Sequence, residues 1–162
     1  MGSKVSIDRS DPFDPTTYIG KGWSILEQDE RAVALTEIDL NCVMLDSTLE
    51  KGEKSIKGED KLKRLKAKTN RIRLDVGVFK TLWENQTLIP SKWKEQTNRN
   101  TTYIFFDGTV LRNSSGSRYI LCLYWYGGKW RWDHFWLGCD WNANSPSAVL
   151  PIDPLVSKTL AA

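Results

Sequence analysis

Residues 119–136 read YILCLYWYGGKWRWDHFW, and this stretch decides the fold class that we predict. Aromatic and aliphatic residues dominate Tyr119 to Tyr126, which favours a strand. Gly127-Gly128 suits a tight two-residue turn, and Lys129 to about Trp132 is predicted to return as the second strand. The polar pair Asp133-His134 is expected to break or bulge that strand.

Tryptophan is concentrated in the same part of the chain, since five of the eight Trp residues fall between 125 and 141. Side chains alternate along a strand, so Trp130 and Trp132 share one face and Arg131 lies on the other. Buried indoles would supply a fixed scaffold of large apolar area. We expect this scaffold to consist of Trp125, Trp130, Trp132, Trp136 and Trp141, with Trp130, Trp132 and Trp136 in the core.

The residues between these tryptophans form the candidate ligand-binding surface. Tyr offers contact area at little entropy cost, and Asn and Ser adapt their hydrogen bonds, which is why such residues are common in binding sites. A plain solvated face has a similar composition, and composition alone does not decide between the two. The candidate residues are Tyr126, Lys129, Arg131, Asp133, His134, Phe135, Cys139, Asn142 and Asn144.

The N-terminal part is predicted to be mainly extended. Residues 1–17, with two Asp-Pro pairs, are interpreted as an irregular lead-in. Two partly alternating runs, Trp23 to Glu27 and Ala32 to Ile38, predict a hairpin. Residues 42–50 are ambiguous between strand and helix.

Two helices are predicted next. Gly58 to about Lys68 carries Glu59 and Asp60 in its first turn, where the helix dipole favours them. A second helix is predicted to begin after Asp75 as N-cap and to end near Asn85. Pro90 is suited to the first turn of a short helix that carries Trp93.

Strands follow from 101 onward. Asp107-Gly108 separates Thr102–Phe106 from Thr109–Leu111, a pattern typical of a hairpin. A closing strand is predicted at Ala148–Leu150. The fold class is therefore α+β: one domain over residues 18–155, with two helices and an antiparallel, aromatic-rich sheet, followed by a tail at 156–162.

Charge is unevenly distributed along the 162 residues, whose formal net charge is +3. Residues 50–73 contain ten basic and four acidic side chains, a balance of +6. Such a segment can follow the phosphates of a nucleic acid. The solvated face of a helix, with Leu62 and Leu65 turned inward, has the same pattern and is the interpretation that we favour.

The sequence contains no apolar run of about 18 residues, so no membrane-spanning helix is expected. Its first residues lack the apolar core of a secretory signal. Cys42, Cys122 and Cys139 are odd in number and far apart, which argues against a disulfide framework and a zinc site. We therefore expect a cytoplasmic protein as the default, without metal or cofactor.

No catalytic residues are predicted. The chain has a single histidine, His134, and a Cys139–His134 dyad is the only nucleophile–base pair that it offers. Phe105-Phe106-Asp107-Gly108-Thr109 is similar to the first motif of haloacid-dehalogenase-type phosphotransferases, but Phe105 stands where that family has its nucleophilic aspartate. We expect a binding protein and not an enzyme.

One resemblance covers about residues 20–150. Three parts of the sequence resemble the C-terminal half of the variable proteins of diversity-generating retroelements. They are Ile104–Arg112, Tyr119–Trp125, and the pattern of Trp130, Trp132, Trp136, Asp140-Trp141 and Pro146–Leu150. Glu27–Arg31 and Leu88–Glu95 are similar to uncharacterised proteins of that kind.

This resemblance implies a C-type-lectin-like fold whose variable region, at about 120–150, is rewritten by error-prone copying at adenines. An Asn codon altered in this way gives mainly Asn, Asp, Tyr, His, Ser, Cys, Arg or Gly, and most candidate residues belong to that set. Lys129 and Phe135 fit it less directly. The partner implied is a protein or another macromolecule, and nucleic acid bound by the 50–73 segment and exposed aromatics is the alternative. The tripeptides of calcium-dependent sugar-binding lectins are missing, so neither calcium nor sugar is implied.

Overall fold

The computed structural model of the protein describes residues 4–152. Its centre is the hairpin of strands β9 (Arg118–Tyr126) and β10 (Lys129–Trp136). Gly127 and Gly128 join them with φ angles of 64° and 78°, left-handed values that favour glycine at both turn positions. The predicted break at Asp133-His134 is wrong, because these residues stay in register with Cys122 and Leu121 of the neighbouring strand.

The described chain is mixed α+β and mostly β-sheet. The other strands are β1 (Lys4–Ser6), β2 (Ser24–Gln28), β3 (Glu37–Asp39), β4 (Met44–Asp46), β5 (Ser55–Lys57), β6 (Arg71–Arg73), β7 (Tyr103–Phe105), β8 (Thr109–Arg112), β11 (Asp140–Asn142) and β12 (Ser147–Pro151). The helices are α1 (Pro15–Tyr18), α2 (Glu30–Val33), α3 (Gly58–Ala67) and α4 (Val76–Glu84). Short 3₁₀ turns lie at Leu40–Cys42, Gln86–Leu88 and Ser91–Lys94.

Eight of the described strands form one sheet. Its main path runs β2-β8-β9-β7-β12-β4, with β10 paired to β9 and β6 paired to β12. The closing strand predicted at 148–150 is confirmed as β12, which pairs with three neighbours inside the sheet. Two smaller pairs, β1 with β3 and β11 with β5, complete the described strands.

The hairpin predicted around Asp107-Gly108 is wrong, although the chain does turn there. Strands β7 and β8 both run antiparallel to β9 and do not pair with each other. Gly108 donates to the Leu74 carbonyl oxygen and accepts from the Asp29 amide. A Cβ atom on Gly108 would lie 2.2 Å from the Arg73 carbonyl oxygen. This glycine therefore allows two backbone segments to approach closely.

Two N-terminal predictions are also wrong. Strand β2 pairs with β8 and β3 pairs with β1, so Trp23–Glu27 and Ala32–Ile38 form no hairpin. The lead-in predicted at 1–17 contains β1 and the start of α1, and its side chains Val5 and Phe13 are buried. Apolar burial makes this segment part of the core.

The longer helices agree with their predictions. Helix α3 begins at Gly58, and α4 begins after Asp75, whose carboxylate accepts a hydrogen bond from the Val78 amide at 3.4 Å. Trp93 is buried within the short 3₁₀ turn that follows Pro90. The tail predicted at 156–162 lies outside the described residues.

The described core has two clusters, and β9 contributes to both. Leu121 and Leu123 belong to the larger cluster, which also contains Phe79 of α4. Ile120 and Cys122 belong to the smaller one, together with Leu62 of α3 and Trp141. Because side chains alternate along a strand, the Ile120–Leu123 part of β9 is covered on both faces.

The tryptophan scaffold is formed only in part. Trp130 and Trp141 are buried, and Trp125 and Trp132 are partly buried against the larger cluster. The prediction that Trp136 is a core residue is wrong, because 51% of it is exposed. Its ring lies over the backbone of Gly138, where a Cβ would meet the indole at 2.3 Å. The indole therefore packs on the turn after β10 and leaves half of its surface in solvent.

Candidate ligand-binding site

Strand pairing places most of the candidate side chains on one face of the sheet. Residues in direct register point to the same side, and the pairs here are Lys129 with Tyr126, Arg131 with Tyr124, and Tyr124 with Tyr103. Asp133 and Phe135 follow on the same side of β10. We call this surface the tyrosine face: Tyr103, Tyr124, Tyr126, Lys129, Arg131, Asp133 and Phe135.

The side chains of the tyrosine face are held by contacts with one another. The ring centroids of Tyr103 and Tyr124 are 4.7 Å apart, and those of Tyr103 and Phe135 are 5.6 Å apart. Arg131 donates from Nε to the Tyr126 carbonyl oxygen at 3.1 Å, and its Cζ lies 5.7 Å from the Tyr126 ring centroid. Tyr126 nevertheless stays 61% exposed. The face thus presents aromatic area that is already oriented.

A pocket of about 190 Å³ opens at one end of the tyrosine face. Tyr103 and Phe135 belong to both surfaces. We call it the aromatic pocket; its lining residues are Tyr103, Phe105, Phe135, Cys139, Asp140, Trp141, Asn142, Asn144 and Ser145. Three more of the predicted residues, Cys139, Asn142 and Asn144, are therefore adjacent to those on the tyrosine face.

Lys61 of α3 lies buried behind this pocket. Its ammonium is 5.4 Å from the centroid of the Phe105 ring and 4.9 Å from that of Trp141, and it donates a hydrogen bond to the Ser145 carbonyl oxygen. Desolvation lowers the pKa of Lys61 to about 8, although Asp107 and Asp46 act in the opposite direction. A cation is thus held beneath the pocket at neutral pH.

Asn142 and Asn144 also line a second, wider cavity of about 500 Å³ on their other side. Its wall combines Leu49 and Ala143 with polar residues that include Thr97, Asn98 and Asn100. Asn144 donates to the Thr101 carbonyl oxygen at 3.1 Å, which ties the 142–145 loop to this wall. The two asparagines therefore lie between the aromatic pocket and this wider cavity.

His134 is the predicted residue that the structure places elsewhere. Its ring lies on the opposite face of β10, with its centroid 4.7 Å from that of Trp23 and 5.3 Å from that of Tyr119. The alternation of side chains along an unbroken strand explains the difference, because it places His134 on the face opposite to Asp133 and Phe135. His134 is therefore no part of the tyrosine face.

Cys139 has no histidine partner. Its thiol donates to the Trp136 carbonyl oxygen at 2.8 Å, and it accepts from the Trp141 indole at 3.2 Å. His134 lies across the sheet, so the dyad considered from sequence is not assembled. The contacts of Cys139 orient the Trp141 ring at the pocket wall.

Sequence reasoning missed Tyr103, Tyr124, Phe105 and Lys61 as site residues. Tyr124 has the same strand parity as Tyr126, which was sufficient to place it on the same face. Lys61 precedes the buried Leu65 by four residues, the spacing of one helix face. The high positive charge of residues 50–73 favoured the interpretation of a solvated helix face, so the burial of Lys61 was not predicted.

Five of the ten cations of the 50–73 segment, Arg73 among them, have a carboxylate partner within the described structure. Arg64 pairs with Glu53 at 2.5 Å, and Lys66 pairs with Glu27. Lys68 and Arg71 both contact the Asp46 carboxylate, at 2.8 and 2.6 Å. These ion pairs connect part of the segment to strands β2 and β4, whereas Lys51, Lys54, Lys57 and Lys63 are exposed.

No family model, curated protein or solved structure matches the chain. Within residues 4–152, no helix has the length and apolar character needed to cross a membrane. The same residues contain no group of three or more His, Cys, Asp or Glu side chains placed to hold a metal ion. Cys42, Cys122 and Cys139 are free thiols.

Proposed function

We propose that this protein is a non-enzymatic ligand-binding protein that presents a diversifiable surface on a fixed scaffold. The ligand contacts the tyrosine face and the aromatic pocket, and it is a protein or another macromolecule. The observation that carries the proposal is the convergence of all candidate residues except His134 on one continuous surface. Trp130 and Trp132, which alternate with them in β10, face the larger core cluster.

Side chains that bind a ligand and side chains that stabilise the fold would lie on opposite faces of β10, so the binding residues could change without unfolding the protein. Trp130 and Trp132 face the larger core cluster, whereas Lys129, Arg131 and Asp133 face outward. A substitution on the outer face removes little buried area, so it leaves the packing of the core intact. This separation is what repeated diversification of a surface requires.

The composition of the surface also supports binding. It combines three tyrosines with Arg, Asp and Asn side chains, the mixture common in antibody paratopes. Ring contacts among Tyr103, Tyr124 and Phe135 limit the entropy lost on association. The surface is thus suited to a partner larger than a small metabolite.

We further propose a C-type-lectin-like fold and an origin as the variable protein of a diversity-generating retroelement. Two longer helices beside a largely antiparallel sheet, with the candidate variable residues on its last hairpin and the following loop, support this proposal. The neighbouring DNA tests it. We expect a reverse transcriptase gene and a near-copy of the codons for about 120–150 that differs at adenines.

The function is tested with two libraries of the protein. One randomises Tyr126, Arg131, Asp133, Asn142 and Asn144; the matched library randomises Leu121, Leu123, Trp130, Trp132 and Ala148. We expect most members of the first library to fold and to yield binders against arbitrary protein targets, and few members of the second to fold. Equal loss of folded members in both libraries would refute a diversifiable surface.

Nucleic-acid binding by the 50–73 segment is the weaker proposal. Its Arg64, Lys66, Lys68 and Arg71 side chains already have carboxylate partners, which reduces the charge available to phosphates. It predicts single-strand binding that weakens steeply with salt. Titration of labelled oligonucleotides at low salt tests it, and no binding there would remove it.

A further inference from the structure

The size of the aromatic pocket limits what can enter it. Its volume is about 190 Å³, whereas an apolar cavity of about 150 Å³ accommodates one benzene ring and whole small-molecule ligands need about 300 Å³ or more. One ring therefore fits the pocket, and the remainder of any larger ligand must lie outside it, on the tyrosine face that shares Tyr103 and Phe135 with the pocket.

Four of the nine residues that line the pocket are aromatic, and their rings are closely packed. The ring centroids of Phe105 and Trp141 are 4.0 Å apart, and those of Phe105 and Phe135 are 5.6 Å apart. Aromatic rings pack well against another ring in offset or edge-on geometry. The walls therefore favour an aromatic guest over a flexible aliphatic one.

The buried Lys61 sets the electrostatic preference of the pocket. All three groups that contact its ammonium, the Phe105 ring, the Trp141 ring and the Ser145 carbonyl oxygen, belong to pocket-lining residues. Among the described residues, Lys61 has no carboxylate within ion-pair distance. A second cation in the pocket would face this charge across a medium of low dielectric constant.

The acidic residues nearby do not cancel this effect at the pocket. Asp140 is exposed, so water and salt screen its charge, and Lys57 lies opposite it in the β11–β5 register. Asp46 attracts Lys61 from a distance but is already paired with Lys68 and Arg71. Asp107 also attracts Lys61 without contacting it.

We propose that the aromatic pocket takes a single uncharged aromatic side chain, that of Tyr or Phe, from a partner polypeptide and that it rejects Lys and Arg side chains. This inference rests on the proposed function, since it assigns the anchoring position within the same binding surface. A polypeptide fits because the pocket receives one ring while the adjoining tyrosine face receives the flanking residues. Such a buried aromatic anchor is where binding energy concentrates in protein interfaces.

The test uses small probes in place of the partner. p-Cresol represents a Tyr side chain, benzylammonium a cationic ring of similar size, and methyl glucoside a sugar. Binding is followed by the NMR shift of the Trp141 indole N–H. We expect p-cresol to shift this signal and benzylammonium to bind at least about 10-fold more weakly, because like charges placed together cost several kcal/mol.

Two variants identify the group responsible. Lys61→Met is expected to keep p-cresol binding and to lose the discrimination against benzylammonium. Lys63→Met is the matched control, because Lys63 is an exposed lysine of the same helix and does not line the pocket; the ratio of the two affinities should change by less than about 2-fold. The comparison in the unmodified protein needs no variant, so it decides the proposal even if Lys61→Met does not fold.

Three results would overturn the inference: benzylammonium binding as tightly as p-cresol, methyl glucoside binding more tightly than p-cresol, or no p-cresol binding at Trp141. Each of these leaves the library experiment unaffected. If the surface library yields binders but p-cresol does not bind at Trp141, the proposed function is supported and the pocket inference is refuted. If p-cresol binds as expected but the library yields no binders, the proposed function is refuted and the pocket's preference for an uncharged ring stands.

Discussion

The Lys61 ammonium lies 4.9 Å from the centroid of the Trp141 ring, and both side chains are buried. Its only hydrogen bond within the described structure goes to the Ser145 carbonyl oxygen. The cation therefore relies on two aromatic faces and one carbonyl group in place of water. This arrangement joins the helix α3 to the loop that forms the candidate pocket.

The stability of the protein should depend on pH through Lys61. Desolvation lowers the pKa of Lys61 from 10.5 to about 8, so between these values the unfolded chain binds more protons than the folded chain. The contribution of Lys61 to the free energy of unfolding therefore rises as the pH increases from about 8 to 10.5, and it is lowest below pH 8. The full change is of the order of 3 kcal/mol.

Comparison with Lys61→Met isolates this effect. Burial raises the pKa of Cys122 and of Tyr124, which lowers stability at high pH in both proteins equally. We expect the difference in unfolding free energy between variant and unmodified protein to shift in favour of the unmodified protein from pH 8 to 10. Urea denaturation at each pH measures it, and a difference independent of pH would contradict a charged, desolvated Lys61.

Scaffold and surface positions on β10 should respond differently to truncation. Trp130 is 6% exposed within the larger core cluster, so Trp130→Ala is expected to cost about 3–5 kcal/mol of unfolding free energy. Asp133→Ala and Lys129→Ala, on the exposed side of the same strand, should each cost less than about 1 kcal/mol.

Chemical denaturation of the three variants measures these losses of unfolding free energy. A fourth variant, His134→Ala, tests which face of β10 carries this residue. The His134 ring packs between Trp23 and Tyr119, so we expect its removal to destabilise more than that of Asp133. A His134→Ala variant as stable as Asp133→Ala would contradict its place on the core side of the strand.

The close backbone approach at Gly108 gives a third prediction. A Cβ there would lie 2.2 Å from the Arg73 carbonyl oxygen and 2.6 Å from Leu74 backbone atoms, which cannot move aside as a flexible side chain can. Gly108→Ala is expected to cost about 3 kcal/mol or more. Gly116→Ala, where nothing lies within 4 Å of the added atom, should cost only the strain of its positive φ, about 1 kcal/mol. Melting temperatures of the two variants test this, and equal losses would refute the contact.

Local signals in the sequence were enough for the elements that depend on neighbouring residues. Gly127-Gly128 specifies its turn, and Asp75 specifies the start of α4, because both act through backbone groups one to three residues away. The pairing of β2 with β8 and of β1 with β3 joins residues far apart in sequence. Alternation in each strand predicts a strand but does not select its partner.

In the candidate site, too, local relationships could be predicted from the sequence and long-range contacts could not. Strand parity was sufficient to place Arg131 and Asp133 opposite the indoles, since that relationship is local. The aromatic pocket depends on the meeting of β7, β10 and residues 139–145, with Lys61 of α3 behind them, and no single stretch of sequence encodes this arrangement. Lys61 in particular required the tertiary structure, because a basic helix face is usually solvated.

The N-terminal segment provides the last prediction. Arg9 donates to Asp75 at 2.7 Å and to the carbonyl oxygens of Ala32 and Leu35 at 2.6 and 2.8 Å, and Asp75 also caps α4. Arg9→Ala would leave the buried Asp75 carboxylate without its charge partner, so we expect a loss of about 3 kcal/mol or more. Arg112→Ala, at an exposed position on β8, is the control and should cost less than about 1 kcal/mol. Hydrogen exchange in α4 should increase in the Arg9 variant alone; unchanged exchange there would mean that the segment does not anchor the helix.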